Sequence, residues 1–212
     1  MITYIVTGLI SIIIAIVAFI VLRLKNPYII RADDKTSFVR SKDTALFAAS
    51  FNPIHKGHVA ILRRIARRHN RVYCVIGFNP KKKYPVSPQE RKRLVEKVVK
   101  SEADLRDRVQ VVMVRGYIWK WASESNVSIM YRGIRSWEKD GAEETYLHFQ
   151  NLLGPILLAR AMPPETRFVE SENQFIEISS SRVRKAAVEN DISIENDVPS
   201  VILSDIKSLW KV

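Results

Sequence analysis

The sequence has few of the residues that build cross-links or metal sites. Its 212 residues contain one cysteine, Cys74, which lies in an apolar run. A single cysteine excludes an internal disulfide and is typical of a protein from a reducing compartment. The four histidines, His55, His58, His69 and His148, show no Cys/His spacing of a metal site and do not require a Ser-His-Asp triad. Internal repeats and low-complexity tracts are absent as well.

Charge is missing from the beginning of the chain. Residues 1–22 carry no charged side chain and consist mainly of Ile, Val, Ala, Leu and Phe. A helix rises about 1.5 Å per residue, so this segment reaches across the roughly 30 Å core of a bilayer. No Lys or Arg precedes it and no small-residue cleavage site follows in 22–27 (LRLKNP), which favours a retained anchor over a signal peptide. Arg23, Lys25 and Arg31 come next, and this basic flank predicts a single-pass membrane protein with residues 23–212 in the cytosol.

The net charge of +12 is concentrated most densely in 61–71 (ILRRIARRHNR). We interpret this segment as a helix with a solvated basic face, and contact with an anionic membrane is the alternative. Nucleic acid is not an expected partner, because no nucleic-acid motif accompanies the charge. The arginines concerned are Arg63, Arg64, Arg67, Arg68 and Arg71.

The chain divides into an anchor (1–23), a linker (24–42) and one domain (43–212). Short apolar runs in the domain alternate with helical stretches, which predicts βαβ units and a Rossmann-like α/β domain with a parallel sheet. Ligands bind beyond the carboxyl ends of the strands in such sheets. We predict strands over 44–49, 71–78, 108–114, 127–131 and 167–169, and helices over 58–70, 88–100, 117–125, 142–160, 180–188 and 203–210.

The most specific motif is 49–58 (ASFNPIHKGH), which joins the first strand of the domain to a helix. A phosphate at this turn would meet the Ser50 hydroxyl, the helix N-terminal amides, and the imidazoles of His55 and His58. Gly57 lets the backbone approach the ligand closely. The motif resembles the signature of the nucleotidyltransferase superfamily that shares its fold with class I aminoacyl-tRNA synthetases. The resemblance implies that His58 stabilises the charge developing on the α-phosphate of a nucleotide.

Two further motifs resemble blocks of the phosphopantetheine adenylyltransferase family. Residues 79–91, with NPKKK and SPQER, are similar to "(N/S)P-x-K-K … (T/S)-x-x-E-R", which implies that Lys82 contacts the transferring phosphates. Residues 131–135 (YRGIR) resemble V-R-G-L-R, and two arginines around a glycine can bind separate phosphates through bidentate contacts. The resemblance implies that Arg132 faces the acceptor phosphate, that residues 133–135 face the nucleotide, and that Glu144 faces the adenosine.

A last motif, 178–184 (ISSSRVR), places three hydroxyls and free amides at a helix start. It resembles the I-S-S-S/T motif that binds triphosphate in adenylyltransferases, with Phe175 where the family has an aromatic residue near adenine. The resemblance therefore implies the following ATP-binding residues: Ser50, Phe51, His55, Gly57, His58, Gly133, Ile134, Arg135, Glu144, Phe175, Ser179, Ser180 and Ser181. It implies Ser50, Lys82 and Arg132 for the acceptor, and His58 and Lys82 for catalysis.

The function that follows is transfer of AMP from ATP to 4′-phosphopantetheine, giving dephospho-coenzyme A and pyrophosphate. Mg²⁺ is expected to arrive with ATP, held by phosphates and water rather than by a protein metal site. Hexamers are usual among bacterial members of the family that the motifs resemble, so the resemblance implies a homo-oligomer as one possible state. The first motif departs from the family at Ala49, Ser50, Asn52 and His55, which are closer to nicotinamide or nicotinate mononucleotide adenylyltransferases. That acceptor, a cytidylyltransferase of lipid synthesis, and a non-catalytic nucleotide-binding scaffold on a membrane stay open as alternatives.

Overall fold

The computed structural model describes residues 2–34, 41–78, 84–159 and 163–210. The strands in these ranges form one six-stranded sheet in which every pairing is parallel. This arrangement confirms the predicted Rossmann-like α/β domain. The strands are β1 (Tyr28–Ile30), β2 (Ser41–Ala49), β3 (His69–Phe78), β4 (Val109–Arg115), β5 (Ile129–Ile134) and β6 (Glu165–Glu170).

Helices join most of these strands. They are α1 (Ile2–Lys25), α2 (Lys56–Arg68), α3 (Pro88–Ser101), α4 (Ile118–Glu124), α5 (Trp137–Gly154), α6 (Ser180–Glu189), α7 (Ile194–Asp197) and α8 (Leu203–Leu209). The predicted helix over 142–160 begins earlier than expected, because Ser136 accepts a hydrogen bond from the amide of Lys139 and caps it. It ends as an α-helix at Gly154 and continues as a π-helical turn over Pro155–Ala159, since proline has no amide hydrogen to continue the α-helical pattern.

The strand order across the sheet is β1-β6-β5-β2-β3-β4. The chain runs outward from β2 through β3 to β4, then returns to the other side of β2 to form β5 and β6. The order therefore reverses between β2 and β5, and a ligand crevice opens at the carboxyl ends of these two strands. We call the edge where the strands end the C-terminal edge and the edge where they begin the N-terminal edge.

Side chains of β2 alternate between two apolar clusters, one on each face of the sheet. Ala45 and Phe47 belong to the larger cluster, which includes residues of α2, α3, α6 and α8. Leu46 and Ala48 belong to the smaller cluster, which includes Trp119 of α4. The central strand is thus buried on both sides, as expected for a doubly wound sheet.

The predicted linker, 24–42, contains regular structure. Helix α1 extends to Lys25, and residues 28–30 form β1, which pairs with β6 through Tyr28↔Arg167 and its neighbours. Strand β2 begins at Ser41. Other differences concern the ends of elements and one short helix, α7, which the sequence does not predict. The sequence predicts β5 over 127–131, but the strand continues to Ile134 because that residue still pairs with Glu170 of β6.

The prediction of a solvated basic face on α2 is wrong for two of its arginines. Arg64 is buried and donates to the backbone oxygens of Glu170 and Arg31. Arg68 is buried as well and forms an ion pair with Asp34, with 3.2 Å between Nη2 and Oδ2. Arg63 is bound to Glu102. Arg64 and Arg68 bind the segment after β1 to the domain, because guanidinium groups can donate to several oxygens at once.

Helix α1 stands apart from the apolar clusters of the domain. Its segment Val6–Lys25 is long and apolar enough to cross a membrane by length and composition, and only 6% of that segment is buried. Most of its large apolar side chains, such as Ile13 and Ile14, are exposed. An isolated helix with this composition buries its side chains in lipid or in another protein surface.

Candidate active site

The turn after β2 brings the histidine motif to the C-terminal edge. Phe51 has a positive φ of 45°, and the Asn52–Pro53 peptide bond is cis. The Phe51 ring is fully buried between Phe47 and His58, with ring centroids 5.7 Å and 5.0 Å away. The Phe51 ring thus packs against the His58 ring, and it is itself shielded from solvent by the surrounding protein.

His55 and His58 lie directly on one another at the start of α2. Their rings are stacked with centroids 3.7 Å apart. Burial lowers the pKa of His55 to about 4. Burial, and secondly the neighbouring His55, hold the pKa of His58 well below its ordinary value. The Nδ1 atoms of both rings are buried without a hydrogen-bond partner in the described part of the chain. Two neutral imidazoles therefore stand at a helix N-terminus with hydrogen-bonding capacity unused.

Gly57 allows this packing. A Cβ atom at Gly57 would lie 3.2 Å from Cε1 and Nδ1 of His55 and 3.5 Å from Cβ of Phe175. Any larger residue would press on the His55 ring, which is fixed by its burial. The same distances show that Phe175 lies beside the histidine pair, so the structure brings together these predicted ATP-binding residues from both ends of the domain.

The serine motif begins α6 and is joined to the same turn. Ser179 caps the helix by accepting from the amide of Arg182 at 3.2 Å. The Ser180 hydroxyl donates to the Pro53 carbonyl at 2.9 Å. This hydrogen bond holds the start of α6 against the turn that carries the histidine motif. The first backbone amides of α6 can therefore bind an anion beside the histidines.

Two arginines that we did not assign to the site hold this arrangement. Arg184 donates to the Asn52 carbonyl at 2.7 Å and to the Ser181 hydroxyl at 2.9 Å. Arg91 is fully buried, donates to the Ser50 carbonyl, and lies 4.3 Å from the centroid of the Tyr84 ring. Both belong to motifs quoted above, SPQER and ISSSRVR, and their membership of these motifs is the signal in the sequence that could have identified them.

The residues of the RGIR motif lie at the end of β5. Arg132 forms a bidentate ion pair with Glu144 of α5, with Nε–Oε2 and Nη2–Oε1 distances of 2.9 Å and 2.8 Å. Arg135 is bound to Asp140 through both backbone and side chain. The two guanidinium groups are therefore held by carboxylates of α5, and Arg132 is orientated by a partner that is itself buried.

Gly133 and Ile134 have packing roles. A Cβ atom at Gly133 would lie 2.8 Å from Cδ1 of Ile61 and 3.2 Å from Cε2 of Phe47, so the glycine lets α2 lie close to β5. Ile134 is buried. Lys82, the predicted phosphate-binding lysine, lies outside the described residues together with the rest of 79–83.

A cavity of about 160 Å³ lies next to Arg132, between the sheet and helices α4 and α5. It is lined mainly by apolar side chains, with the amides of Gln150 and Asn151 at one side. The residues that line it include Ala48, Ile118, Trp119, Met130, Leu147 and Asn151. A cavity of this kind, beside an arginine at the switch point of the sheet, suits the body of a phosphorylated acceptor.

No group of three or more His, Cys, Asp or Glu side chains forms a metal-binding cluster within the described ranges.

The known proteins that the chain resembles in sequence are nucleotidyltransferases. Residues 46–186 match the cytidylyltransferase-like family. The chain is 32% identical over 167 residues to a phosphopantetheine adenylyltransferase of Rubrobacter xylanophilus, covering 78% of this chain and 94% of that relative. It is 27% identical over 164 residues to a phosphopantetheine adenylyltransferase of Clostridium botulinum, covering 77% of this chain and 93% of that relative.

Among solved structures, the chain resembles the Plasmodium falciparum nicotinic acid mononucleotide adenylyltransferase complexed with NaAD. The TM-score is 0.56 at 14% identity, and the match covers 79% of this chain and 96% of that one. At this identity the likeness concerns the fold: the same doubly wound sheet is present in both chains.

Proposed function

The chain belongs to the cytidylyltransferase-like family of nucleotidyltransferases, and we propose that it transfers AMP from ATP to 4′-phosphopantetheine, giving dephospho-coenzyme A and pyrophosphate. This acceptor is supported by two relatives that match most of the chain, because both are phosphopantetheine adenylyltransferases. The observation that carries the proposal is the cavity beside Arg132. Its apolar walls and the Asn151 amide suit a long acceptor arm of methyl groups and amides, and Arg132, which lines the cavity, would bind the phosphate of that arm.

The reaction needs positioning and charge stabilisation more than a nucleophilic side chain. An oxygen of the acceptor phosphate attacks the α-phosphorus of ATP, the bond from that phosphorus to the bridging oxygen breaks, and pyrophosphate leaves. His58 would donate a hydrogen bond to the α-phosphate, where negative charge accumulates. The amides at the start of α6, set in place by Ser180 and Arg184, would bind the β- and γ-phosphates.

The remaining predicted site residues take supporting positions in this proposal. Phe175 would contact the adenine, since it lies next to Gly57 and the histidine pair. Arg132 would bind the acceptor phosphate and Lys82 the transferring phosphates. Mg²⁺ would enter with ATP and neutralise part of the phosphate charge, held by phosphate oxygens and water.

The test is an assay of the purified full chain in detergent for pyrophosphate release. ATP and CTP are each supplied with 4′-phosphopantetheine, with nicotinamide or nicotinate mononucleotide, or with a phosphorylated lipid headgroup. The proposal requires turnover with ATP and 4′-phosphopantetheine at a higher kcat/KM than with any other pair. Preference for a mononucleotide would support the acceptor suggested by Ala49 and His55. Tight ATP binding without pyrophosphate from any acceptor would instead support a nucleotide-binding scaffold.

A cavity-filling variant tests whether the cavity beside Arg132 holds the acceptor. Ala48→Leu places three more carbon atoms against the cavity wall beside Arg132. We expect the KM for 4′-phosphopantetheine to rise by about tenfold or more while the KM for ATP stays within about twofold. An equal change in both constants would mean that the cavity does not hold the acceptor.

We also propose that α1 anchors the enzyme in a membrane as a single span with the catalytic domain in the cytosol. Its apolar composition, its length and the exposure of its side chains support this location. Arg23 and Lys25 at its end are suited to the cytosolic interface.

A further inference from the structure

Helix α1 joins the domain at the N-terminal edge of the sheet. The Arg23 carbonyl accepts a hydrogen bond from Nε2 of His148 in α5 at 3.3 Å. A small crevice beside this contact is lined by residues from the end of α1 and from the start of β6, including Phe19, Pro164 and Thr166. The apolar helix therefore leaves the domain at the edge where strands begin, and the candidate active site lies at the opposite edge.

Two exposed leucines lie at the same edge. Leu157 and Leu158 are 65% and 70% exposed, in the π-helical turn between the end of α5 and the segment that leads into β6. Neither leucine belongs to the apolar clusters of the described part of the domain. Along the chain, the turn lies between Leu152 and Pro163, and both of these residues line the crevice at the end of α1.

Basic side chains also lie along the N-terminal edge of the sheet, at strands farther from α1. Arg71 follows the first residues of β3 and is exposed, Arg108 directly precedes β4, and Lys100 is exposed in the last turn of α3. Because the strands are parallel, these positions share the edge at which Arg23 and Lys25 end α1.

Several carboxylates at this edge are already bound to arginines. Glu102 and Asp104 interact with Arg63, and Glu165 is bound to Arg167. Asp43, Asp107 and Glu124 are exposed there and reduce the basic excess without removing it.

We propose that the N-terminal edge of the sheet rests on an anionic bilayer surface, with Leu157 and Leu158 inserted at the lipid interface and Arg71, Arg108 and Lys100 over the headgroups. The proposal rests on the proposed membrane location of α1. Apolar residues at the interface combined with basic residues over anionic headgroups are the recognised elements of peripheral membrane binding. In this proposal α1 keeps the domain close to the bilayer, and the contact of the N-terminal edge with the headgroups fixes the orientation of the domain.

The orientation has a consequence for the active site. Strands rise about 3.3 Å per residue, so the C-terminal edge lies about 20–30 Å from the N-terminal edge. The catalytic edge then opens toward the cytosol, away from the negative surface potential that would repel ATP and a phosphorylated acceptor.

The test places fluorescent labels at opposite edges of the full chain. Cys74 is the only cysteine and is buried, so new cysteines can be labelled selectively. Leu158→Cys reports on the N-terminal edge, and Glu177→Cys, an exposed site just before α6, is the matched control. Each protein is reconstituted into phosphatidylcholine vesicles with or without phosphatidylglycerol, and quenching by lipid-borne nitroxide is measured after flotation.

We expect strong quenching at position 158 in vesicles that contain phosphatidylglycerol and little at position 177. In the Leu158→Cys background, Arg71→Glu with Arg108→Glu should reduce the quenching at least twofold, and Lys139→Glu, a charge reversal at the C-terminal edge, should not. Pyrophosphate release checks that the variants are folded.

Three outcomes would overturn the proposal in different ways. Protein that floats with the vesicles but shows equal, weak quenching at 158 and 177 overturns the docked orientation alone. Equal quenching at 158 with and without phosphatidylglycerol overturns the role of the basic residues. Protein that does not float overturns the anchor and the orientation together. The choice of acceptor is decided separately by the activity assay, so a different acceptor leaves this result unaffected.

Discussion

The imidazole rings of His55 and His58 are stacked with centroids 3.7 Å apart and planes inclined by 29°. Two imidazolium cations this close would repel, and burial disfavours each charge further. The low pKa values of both rings mean that the pair is neutral at physiological pH. A neutral imidazole can still donate one hydrogen bond, and a bound phosphate raises the pKa of an imidazole beside it. The pair can therefore donate hydrogen bonds to a nucleotide phosphate without first taking up a proton.

His58→Ala should lower kcat by about 100-fold or more, because a donor to the charge of the transition state is lost. The chain should still fold, with a lower melting temperature, because the contacts of the His58 ring with His55 and Phe51 are lost. The measurement is steady-state pyrophosphate release with the melting temperature as a control. Turnover close to that of the unaltered enzyme would remove His58 from the catalytic role.

Stability should decrease as the pH falls from 7 to 5. The pKa of His55 is about 4 in the folded chain against an ordinary 6.5, so the unfolded chain binds more protons in the window between these values. The folded state therefore loses stability as the pH falls through this window, and His55 alone accounts for about 2 kcal/mol by pH 5. Urea unfolding at both pH values measures the change.

The control for this prediction is His55→Asn, which removes the titrating group but keeps a polar side chain. The variant should show a smaller difference in unfolding free energy between pH 7 and pH 5. An identical difference in the two proteins would mean that the buried His55 is not the source of the pH dependence.

Local signals in the sequence were enough to predict most elements of the domain. Helix α3 is an example: Ser87 accepts from the Glu90 amide at 3.1 Å with Pro88 in the first turn, as the residue order indicated. Strand β1 was not predicted, because a strand of three residues has no recognisable pattern. Its partner β6 is far along the chain, and such a pairing is decided by tertiary structure.

In the candidate active site, too, some features follow from local sequence and others depend on contacts with distant segments. The histidine and serine motifs follow strands of one parallel sheet, so the topology alone predicts that they meet at one edge. The contacts of Arg184 and Arg91 could not be predicted in this way. Both arginines donate to backbone carbonyls of the turn after β2, whose positions depend on the conformation of that turn. The burial of Arg64 and Arg68 has a similar origin, because their partners come from distant segments.

Arg132→Lys should raise the KM for the acceptor by about tenfold, with a small effect on the KM for ATP. Lysine keeps the positive charge but cannot form the bidentate contact with Glu144 that fixes the direction of the guanidinium group. Glu144→Gln is the companion variant: it keeps the shape of the partner and weakens the same contact, so we expect a change in the same direction. Kinetics with each substrate varied in turn measure both constants. A larger effect on ATP than on the acceptor would reverse the assignment of Arg132.

Gly133→Ala tests whether this glycine serves packing or direct nucleotide binding. The new methyl group would meet Cδ1 of Ile61 at 2.8 Å and the Phe47 ring at 3.2 Å, so the unfolding free energy should fall by about 1–2 kcal/mol. Ile61→Val removes that Cδ1 atom, and the double variant should recover stability relative to Gly133→Ala if the contact between α2 and β5 is the cause. Urea unfolding and the KM for ATP are measured for both single variants and the double variant. Recovery of stability with a KM for ATP that stays raised would show that the Gly133 backbone also contacts the nucleotide, whereas recovery of both would assign the glycine to helix–sheet packing alone.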